Sequence, residues 1–347
     1  MRSHTEDFSF FKDATVLITG GTGSFGSNFM TFLLQETQVR QVRIFSRDET
    51  KQDEMRRRFH DSRIAFYLGD LREKDSISNA LKGVDCIFHA AALKQVPSCE
   101  FFPEQAVKTN VIGSQNLISE ASKHGVTSLV LLSTDKAVHP INVMGMTKAL
   151  MEKSAYAFVR NNPESKMKVS CVRYGNVLFS RGSVVPLFIN QIRNGNKLTI
   201  TNANMTRYLM SLEESVELVI NAFSKSSSGD LLVKEVPSAT VFDLANAVSE
   251  LMGRKLSYEI IGTRHGEKIH EDLLSGAELK RAQKESNFYS VPLDSRNLNY
   301  EAFYDQGFSG DELNIDGLSS NSAKRLTVAE IVNLLDKLPE TARLIGS

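Results

Sequence analysis

The chain has 347 residues, 41% of them apolar and 24% charged, a normal soluble composition long enough for one large domain or two ordinary ones. Its 41 basic and 41 acidic side chains cancel, which argues against a nucleic-acid or anionic-membrane footprint and leaves a small anionic molecule as the expected partner. Neither an apolar N-terminal core nor a run of about 18 apolar residues occurs, so a signal peptide and a membrane span are not expected and a cytoplasmic location is.

From Thr15 onward, short β-rich runs (TVLIT, VRIFS, IAFYLGD, DCIFHAA, SLVLLST, KVSCVRYGN) alternate with helical stretches. That alternation predicts an α/β, Rossmann-type, doubly wound parallel sheet. After the first strand comes Gly20-Gly21-Thr22-Gly23-Ser24-Phe25-Gly26, opening a helix whose Phe25, Phe29 and Leu33 share one apolar face. In this setting of strand, tight turn and helix, the spacing predicts a dinucleotide pyrophosphate loop. The second strand ends in Ser46, Arg47 and Asp48. An arginine there suits a 2′-phosphate and favours NADP, while Asp48 keeps NAD as the alternative. The Arg56-Arg57-Arg58 run reads as a solvated helix face. Asp70, followed by Leu71, closes the third strand, where its carboxylate can meet the adenine amino group. Ala90, Ala91 and Ala92 after the fourth strand permit close passage of a cofactor; Lys94 stands on the cofactor and substrate side, and His89 reads as a packed strand residue.

The fifth strand ends in Ser133-Thr134-Asp135-Lys136, and Lys148 follows Met144 by four residues, about one helical turn. A thioether takes no proton near neutral pH, so acid-base work falls to Asp135 and Lys136. Around Asn176 the pattern changes. A loop is expected from Ser180 to Thr206, then the helix SLEESVELVINAF, the strand GDLLVKE, and two amphipathic helices (241–252 and 328–338) separated by loop-like sequence. The expected division is a dinucleotide domain at 12–178, completed by 207–236, with a smaller interleaved α/β substrate domain at 179–206 and 237–347. Residues 307–326 read as a surface loop. Cys86, Cys99 and Cys171 lack metal-ligand spacing, so no metal is expected; Cys86 and Cys171 read as buried free thiols.

Taken together, Thr19 to Gly26, HAAALK, Asn110, STDKAVHPINVMGMTK and RYGNV resemble the extended short-chain dehydrogenase/reductases over about residues 12–300. The runs RIFSRDE, HAAALKQVPSCEFFP, MTRYLMSLEE and GTRHGEK are similar to those of the inverting UDP-N-acetylglucosamine 4,6-dehydratases of capsule and O-antigen synthesis, a subgroup with methionine in the usual tyrosine position.

The resemblance implies a hydro-lyase that oxidises C4 of UDP-N-acetylglucosamine, eliminates water across C5 and C6, and inverts C5, with NADP regenerated each cycle. Lys136 is then expected to be the C5 base, which requires a lowered ammonium pKa, and Asp135 the proton donor to the 6-hydroxyl. Thr134 would bond the 4-hydroxyl, Lys148 the nicotinamide ribose, and Asn110 would brace the helix. Asn176, Arg207 and Arg264 would meet phosphate, Glu267 a ribose diol, and Arg181, Gly182 and Ser183 a substrate-side loop. Which group takes the 4-hydroxyl proton is left open among Lys148, Asp135 and Lys136. The family further implies a homo-oligomer, up to a hexamer, joined through the long helices of the dinucleotide domain. A 4-epimerase and a non-catalytic NADP-binding scaffold are the competing readings.

Overall fold

Buried apolar runs bounded by glycine and asparagine turns set the frame of the computed structural model, which describes residues 8–294 and 316–345. Six strands pair in parallel: β1 (Thr15–Thr19), β2 (Gln41–Ser46), β3 (Ile64–Leu68), β4 (Cys86–His89), β5 (Ser128–Leu132) and β6 (Lys168–Arg173). Every residue of β1, β4 and β5 is buried, as both faces of a helix-covered parallel sheet require. From β1 the strand order runs outward to β2 and β3 on one side and to β4, β5 and β6 on the other. The change of direction between β1 and β4 opens a crevice at the strands' carboxyl ends, where doubly wound sheets bind ligands.

Two small two-stranded sheets stand apart from the large one, β7 (Leu198–Ile200) with β11 (Tyr258–Ile260) and β8 (Thr206–Tyr208) with β10 (Ser238–Thr240), while β9 (Leu231–Lys234) returns to the large sheet parallel to β6. Apolar side chains on the two faces of the large sheet form two cores. Phe188, Leu198, Ile200, Leu244, Val248 and Ile331 belong to a third core, beside the two small sheets.

Three expectations are corrected. The stretch from Ser180 to Thr206 is not a loop: it holds the Val184–Arg193 helix, β7 and the first residue of β8. Val185, Phe188 and Ile189 make a buried helical face, and Pro186 is tolerated because it lies in the first turn. The sequence between the last two long helices also carries structure. β12 (Asp272–Leu274) precedes the Gly276–Arg281 helix, and the hairpin of β13 (Gln283–Glu285) and β14 (Phe288–Val291) pairs antiparallel with β9, so it extends the large sheet even though its sequence falls in the 237–347 segment. All three residues of β13 are exposed, so no alternation marked it as a strand. In the expected 307–326 loop, β15 (Leu318–Ser319) pairs with β12; residues 307–315 lie outside the described residues. No helix among the described residues is long and apolar enough to cross a membrane.

Candidate active site

A cleft of about 600 Å³ opens over the carboxyl ends of β1, β2, β4 and β5. Its floor depends on missing side chains. Gly20 has φ +68°, and a Cβ there would lie 2.8 Å from Ala91 Cα; a Cβ on Gly26 would lie 2.6 Å from Gly21 Cα. Thr22, Gly23, Ser24, Phe25, Ala90, Ala91 and Ala92 line this part, with the first turn of the Ser24–Glu36 helix presenting backbone donors. This cradle fits a pyrophosphate.

At the far end stand Ser46, Arg47, Asp48, Asp70 and Leu71. Asp48 caps the Glu49–Arg58 helix by accepting from the Lys51 backbone and pairs with the Lys51 ammonium, which holds its carboxyl below the ordinary value. Asp70 is taken by Arg72 at 2.5 Å, with Arg47 at 3.8 Å. Asp48, the carboxylate that could receive a ribose diol, and Asp70, expected at the adenine amino group, are thus both committed to cations, and Arg47 is half exposed beside them.

The opposite end is built on β5 and the Val143–Asn161 helix. The Lys148 ammonium, almost fully buried, donates to the Leu132 carbonyl at 2.6 Å, and burial pushes its pKa down to about 8. Met144 lines the cleft and packs with Cys99 and Ala106. Asn110 lies in a π-helical turn (Val107–Ile112) and does not line the cleft. Its side chain accepts from Leu93 N at 2.8 Å and donates to Thr147 Oγ1 at 3.0 Å, bracing the loop after β4 against the long helix. His89 is buried between Thr19 Oγ1 (2.6 Å) and Ser114 Oγ (2.8 Å), and burial pushes its pKa down to about 3.

Thr134 and Lys136 line the cleft, whereas Asp135 is 1% exposed and sits behind them. Asp135 Oδ1 accepts from Thr134 Oγ1 at 2.8 Å and from Lys136 Nζ at 3.0 Å, while its buried Oδ2 has no hydrogen-bond partner. A second carboxylate, Glu271, stands 3.3 Å from Lys136 Nζ. Burial alone would lower the Lys136 pKa, but the two carboxylates outweigh it and raise the ammonium above the ordinary lysine value. The lowered pKa expected of a ready C5 base is therefore absent from the resting site, because the expectation did not include Glu271. Sequence reasoning also missed Tyr174, whose residue lines the cleft and whose phenol burial and the Asp135 charge keep protonated. No spacing pattern marks either residue.

On the substrate side, Asn176 and Ser183 line the cleft at the start of the Val184–Arg193 helix, each with a buried side-chain oxygen lacking a hydrogen-bond partner. Lys94 donates to the Arg181 carbonyl at 3.0 Å, and Arg181 N donates to Ser24 Oγ at 3.2 Å, so the 180–183 loop lies across the phosphate loop. Arg207 lines a small adjoining pocket, where it donates to the carbonyls of Thr206, Lys268 and Ile269. Arg264 is exposed, Glu267 is half-buried, and neither lines the cleft. Glu267 accepts from the Arg264 backbone, and the turn is fixed to Asn142 through the Gly266 carbonyl. The three cysteines are buried and free, and no metal-binding cluster of His, Cys, Asp and Glu occurs among the described residues.

A model of a family described as polysaccharide biosynthesis protein matches residues 16–292. A protein named UDP-glucose 4-epimerase from Rickettsia prowazekii (strain Madrid E) is 47% identical over 328 residues, covering 94% of this chain and 96% of its own. Among solved structures, Pen from Bacillus thuringiensis superposes with a TM-score of 0.85 at 32% identity, covering 95% of this chain and all of its own. DesIV, a dTDP-glucose 4,6-dehydratase from Streptomyces venezuelae with NAD and TYD bound, gives a TM-score of 0.67 at 21% identity over 74% of this chain and 86% of its own, a likeness of fold.

Proposed function

The chain belongs to the polysaccharide biosynthesis protein family, and from that premise we propose that it is an inverting UDP-N-acetylglucosamine 4,6-dehydratase serving surface-polysaccharide synthesis. The observation that carries this reading is the Lys136 ammonium on the cleft wall, clamped by Asp135 and Glu271 beside a helix whose position 144 offers no phenol. Elimination needs a base for the C5 proton and an acid for the departing hydroxyl in addition to the group that takes the 4-hydroxyl proton. Interconversion at C4 needs only that last group, so Lys136 in the same cleft as Lys148 favours elimination.

A bound nicotinamide cofactor would accept hydride from C4 and return it to C6. The phosphate loop fits its pyrophosphate, and Arg47 beside two committed carboxylates favours NADP over NAD. Lys148, with its pKa pushed down to about 8, is suited to take the 4-hydroxyl proton. Lys136 addresses C5. Asp135 faces Lys136 and Thr134 instead of the cleft, so any proton it gives to the 6-hydroxyl passes through one of those two side chains. On the substrate side of the cleft, Asn176, Ser183 and the first turn of the Val184–Arg193 helix would hold the UDP pyrophosphate. Arg207 and Glu267, after releasing their present partners, would complete the UDP site with the exposed Arg264.

A nucleotide-sugar 4-epimerase is the second reading, favoured by the name UDP-glucose 4-epimerase that the Rickettsia relatives bear. Incubation with UDP-N-acetylglucosamine in D₂O, followed by NMR, separates the two. A 4-keto-6-deoxy sugar with deuterium at C5 is expected; the galacto epimer would establish the second reading, and unchanged sugar would remove both. Lys136→Ala is expected to abolish elimination.

A further inference from the structure

The Lys136 clamp contains a residue that no sequence motif indicated. Glu271 reaches in from the start of β12, 2% exposed. Its backbone N donates to Ser320 Oγ at 2.9 Å, and its carbonyl accepts from Ser320 N at 2.8 Å, so it is pinned from both sides. Its carboxylate stands behind Lys136 and does not line the cleft.

We infer that Glu271 is a positioning residue that holds the Lys136 ammonium at the cleft wall and takes up its proton when the neutral amine is required. The use made of that amine, at C5 of the sugar, rests on the function proposed above. The two carboxylates around Lys136 are not equivalent. Asp135 Oδ1 already has two donors, Thr134 Oγ1 at 2.8 Å and Lys136 Nζ at 3.0 Å. Glu271 has the same ammonium at 3.3 Å, its Oε2 is buried without a hydrogen-bond partner, and the Lys268 ammonium is 3.9 Å away. Hydrogen bonds to the charged form stabilise a carboxylate, so the less satisfied Glu271 is the better proton acceptor. Burial and the Asp135 charge push its pKa up, against the pull of Lys136, Arg207 and Lys268, and the phenols of Tyr174 and Tyr208 feel the same Asp135 charge.

The transfer balances within the pair. One proton leaves Nζ for a carboxylate oxygen, and ammonium plus carboxylate become amine plus carboxylic acid with no change of net charge. When the amine then takes a proton from C5, the ammonium returns beside a neutral Glu271, with Asp135 balancing it. The ammonium gives that proton to the 6-hydroxyl, which leaves as water, and Glu271 returns its own proton to Nζ, restoring the starting pair. No oxidant or further reactant is needed.

The test reads Lys136 directly. Purified protein is treated with acetic anhydride at pH 9, and acetylation of Lys136 is followed by peptide mass spectrometry, since only the neutral amine reacts. Glu271→Gln keeps the shape but removes the charge and the proton site. It is expected to acetylate Lys136 at least about tenfold faster than the parent, one pKa unit being tenfold in neutral amine. On substrate, its KM is expected to stay near the parent's while kcat falls at least about thirtyfold at pH 7. The amine, although more often neutral, is no longer held at the cleft wall, so the variant-to-parent kcat ratio is expected to stay low as pH is raised toward 9.5. An unchanged acetylation rate overturns the inference, even if the parent proves to be a dehydratase. A parent without dehydratase activity removes the proposed function but leaves the acetylation result to decide the pair. If Glu271→Gln fails to fold, Glu271→Asp carries the test: it retains a proton acceptor and is expected to keep Lys136 slow to acetylate, and rapid acetylation there overturns the inference.

Discussion

Lys148 and Lys136 show how one residue type acquires two characters twelve residues of chain apart. Lys148 is buried against the Leu132 carbonyl and the Met151 sulfur, with no carboxylate in direct contact, so desolvation dominates and its pKa falls to about 8. Lys136 experiences the same penalty, but Asp135 and Glu271 reverse it. If Lys148 takes the 4-hydroxyl proton, the hydride-transfer step must speed up as pH rises through about 8, since the neutral amine is the active form. Pre-steady-state absorbance at 340 nm across pH 6.5–9.5 checks this; a rate flat in pH would assign the proton elsewhere. The same shift bears on stability. The folded protein holds the Lys148 proton less tightly than the unfolded chain, so the penalty is full below about pH 8 and fades toward the ordinary lysine value of 10.5. Lys148→Met is therefore expected to raise the melting temperature at pH 7 while abolishing turnover.

Among the elements, the Val143–Asn161 helix fixes the site through close backbone approach. A Cβ on Gly145 would lie 2.2 Å from the Lys136 carbonyl oxygen, so the helix rests directly on the turn that carries Lys136. Gly145→Ala would gain about 1 kcal/mol of helix propensity. The clash is with backbone and cannot relax by a rotamer change, so overpacking of about 1–3 kcal/mol is expected to win. Denaturant unfolding should show a net loss of stability, and turnover should fall further than that loss explains because the Lys136 turn moves. The part of the site that rests on such local chemistry was legible in the sequence. The phosphate loop and Lys136 follow strands and were expected from that setting, whereas Thr134 and Lys148 were expected through the family resemblance; all of them line the cleft. Glu271 and Tyr174 depend on tertiary placement, and their neighbours in sequence carry no period pointing to the cleft. The Val184–Arg193 helix was missed for a different reason: an early proline and flanking Gly-Asn turns mimic a loop, although its apolar spacing is helical.

At the scale of the whole molecule, one buried ion cluster joins the large sheet to the C-terminal segment. Arg173, on β6, donates to Glu152 at 2.6 and 2.8 Å and to Glu278 at 2.8 and 2.9 Å, and also to the Leu273 carbonyl at 3.1 Å. Arg173→Met would leave two carboxylates without their cation, a loss of about 3–5 kcal/mol for a broken buried pair. Hydrogen bonds and charge from Arg173 overcome the effect of burial and hold the Glu278 carboxyl below its ordinary value of 4.5. Its stabilisation is therefore present above that value and is lost as pH falls through the depressed one. Melting temperatures between pH 6 and 3 should drop more steeply for the parent than for Glu278→Gln. Assembly belongs to this scale too. Phe101, Phe102, Val107, Ile112, Met146 and Leu150 are exposed on the 96–112 stretch and the Val143–Asn161 helix, which pack together, and Met146 and Leu150 are one helical turn apart. Exposed large apolar side chains on packed helices are where a contact between copies is expected, in line with the homo-oligomer that the family resemblance implies. Light scattering is expected to give the parent a mass of at least two chains, and Leu150→Glu, which would bury a charge in that contact, a smaller one with an unchanged circular dichroism spectrum. A monomeric parent, or a variant of unchanged mass, would place the contact on another face.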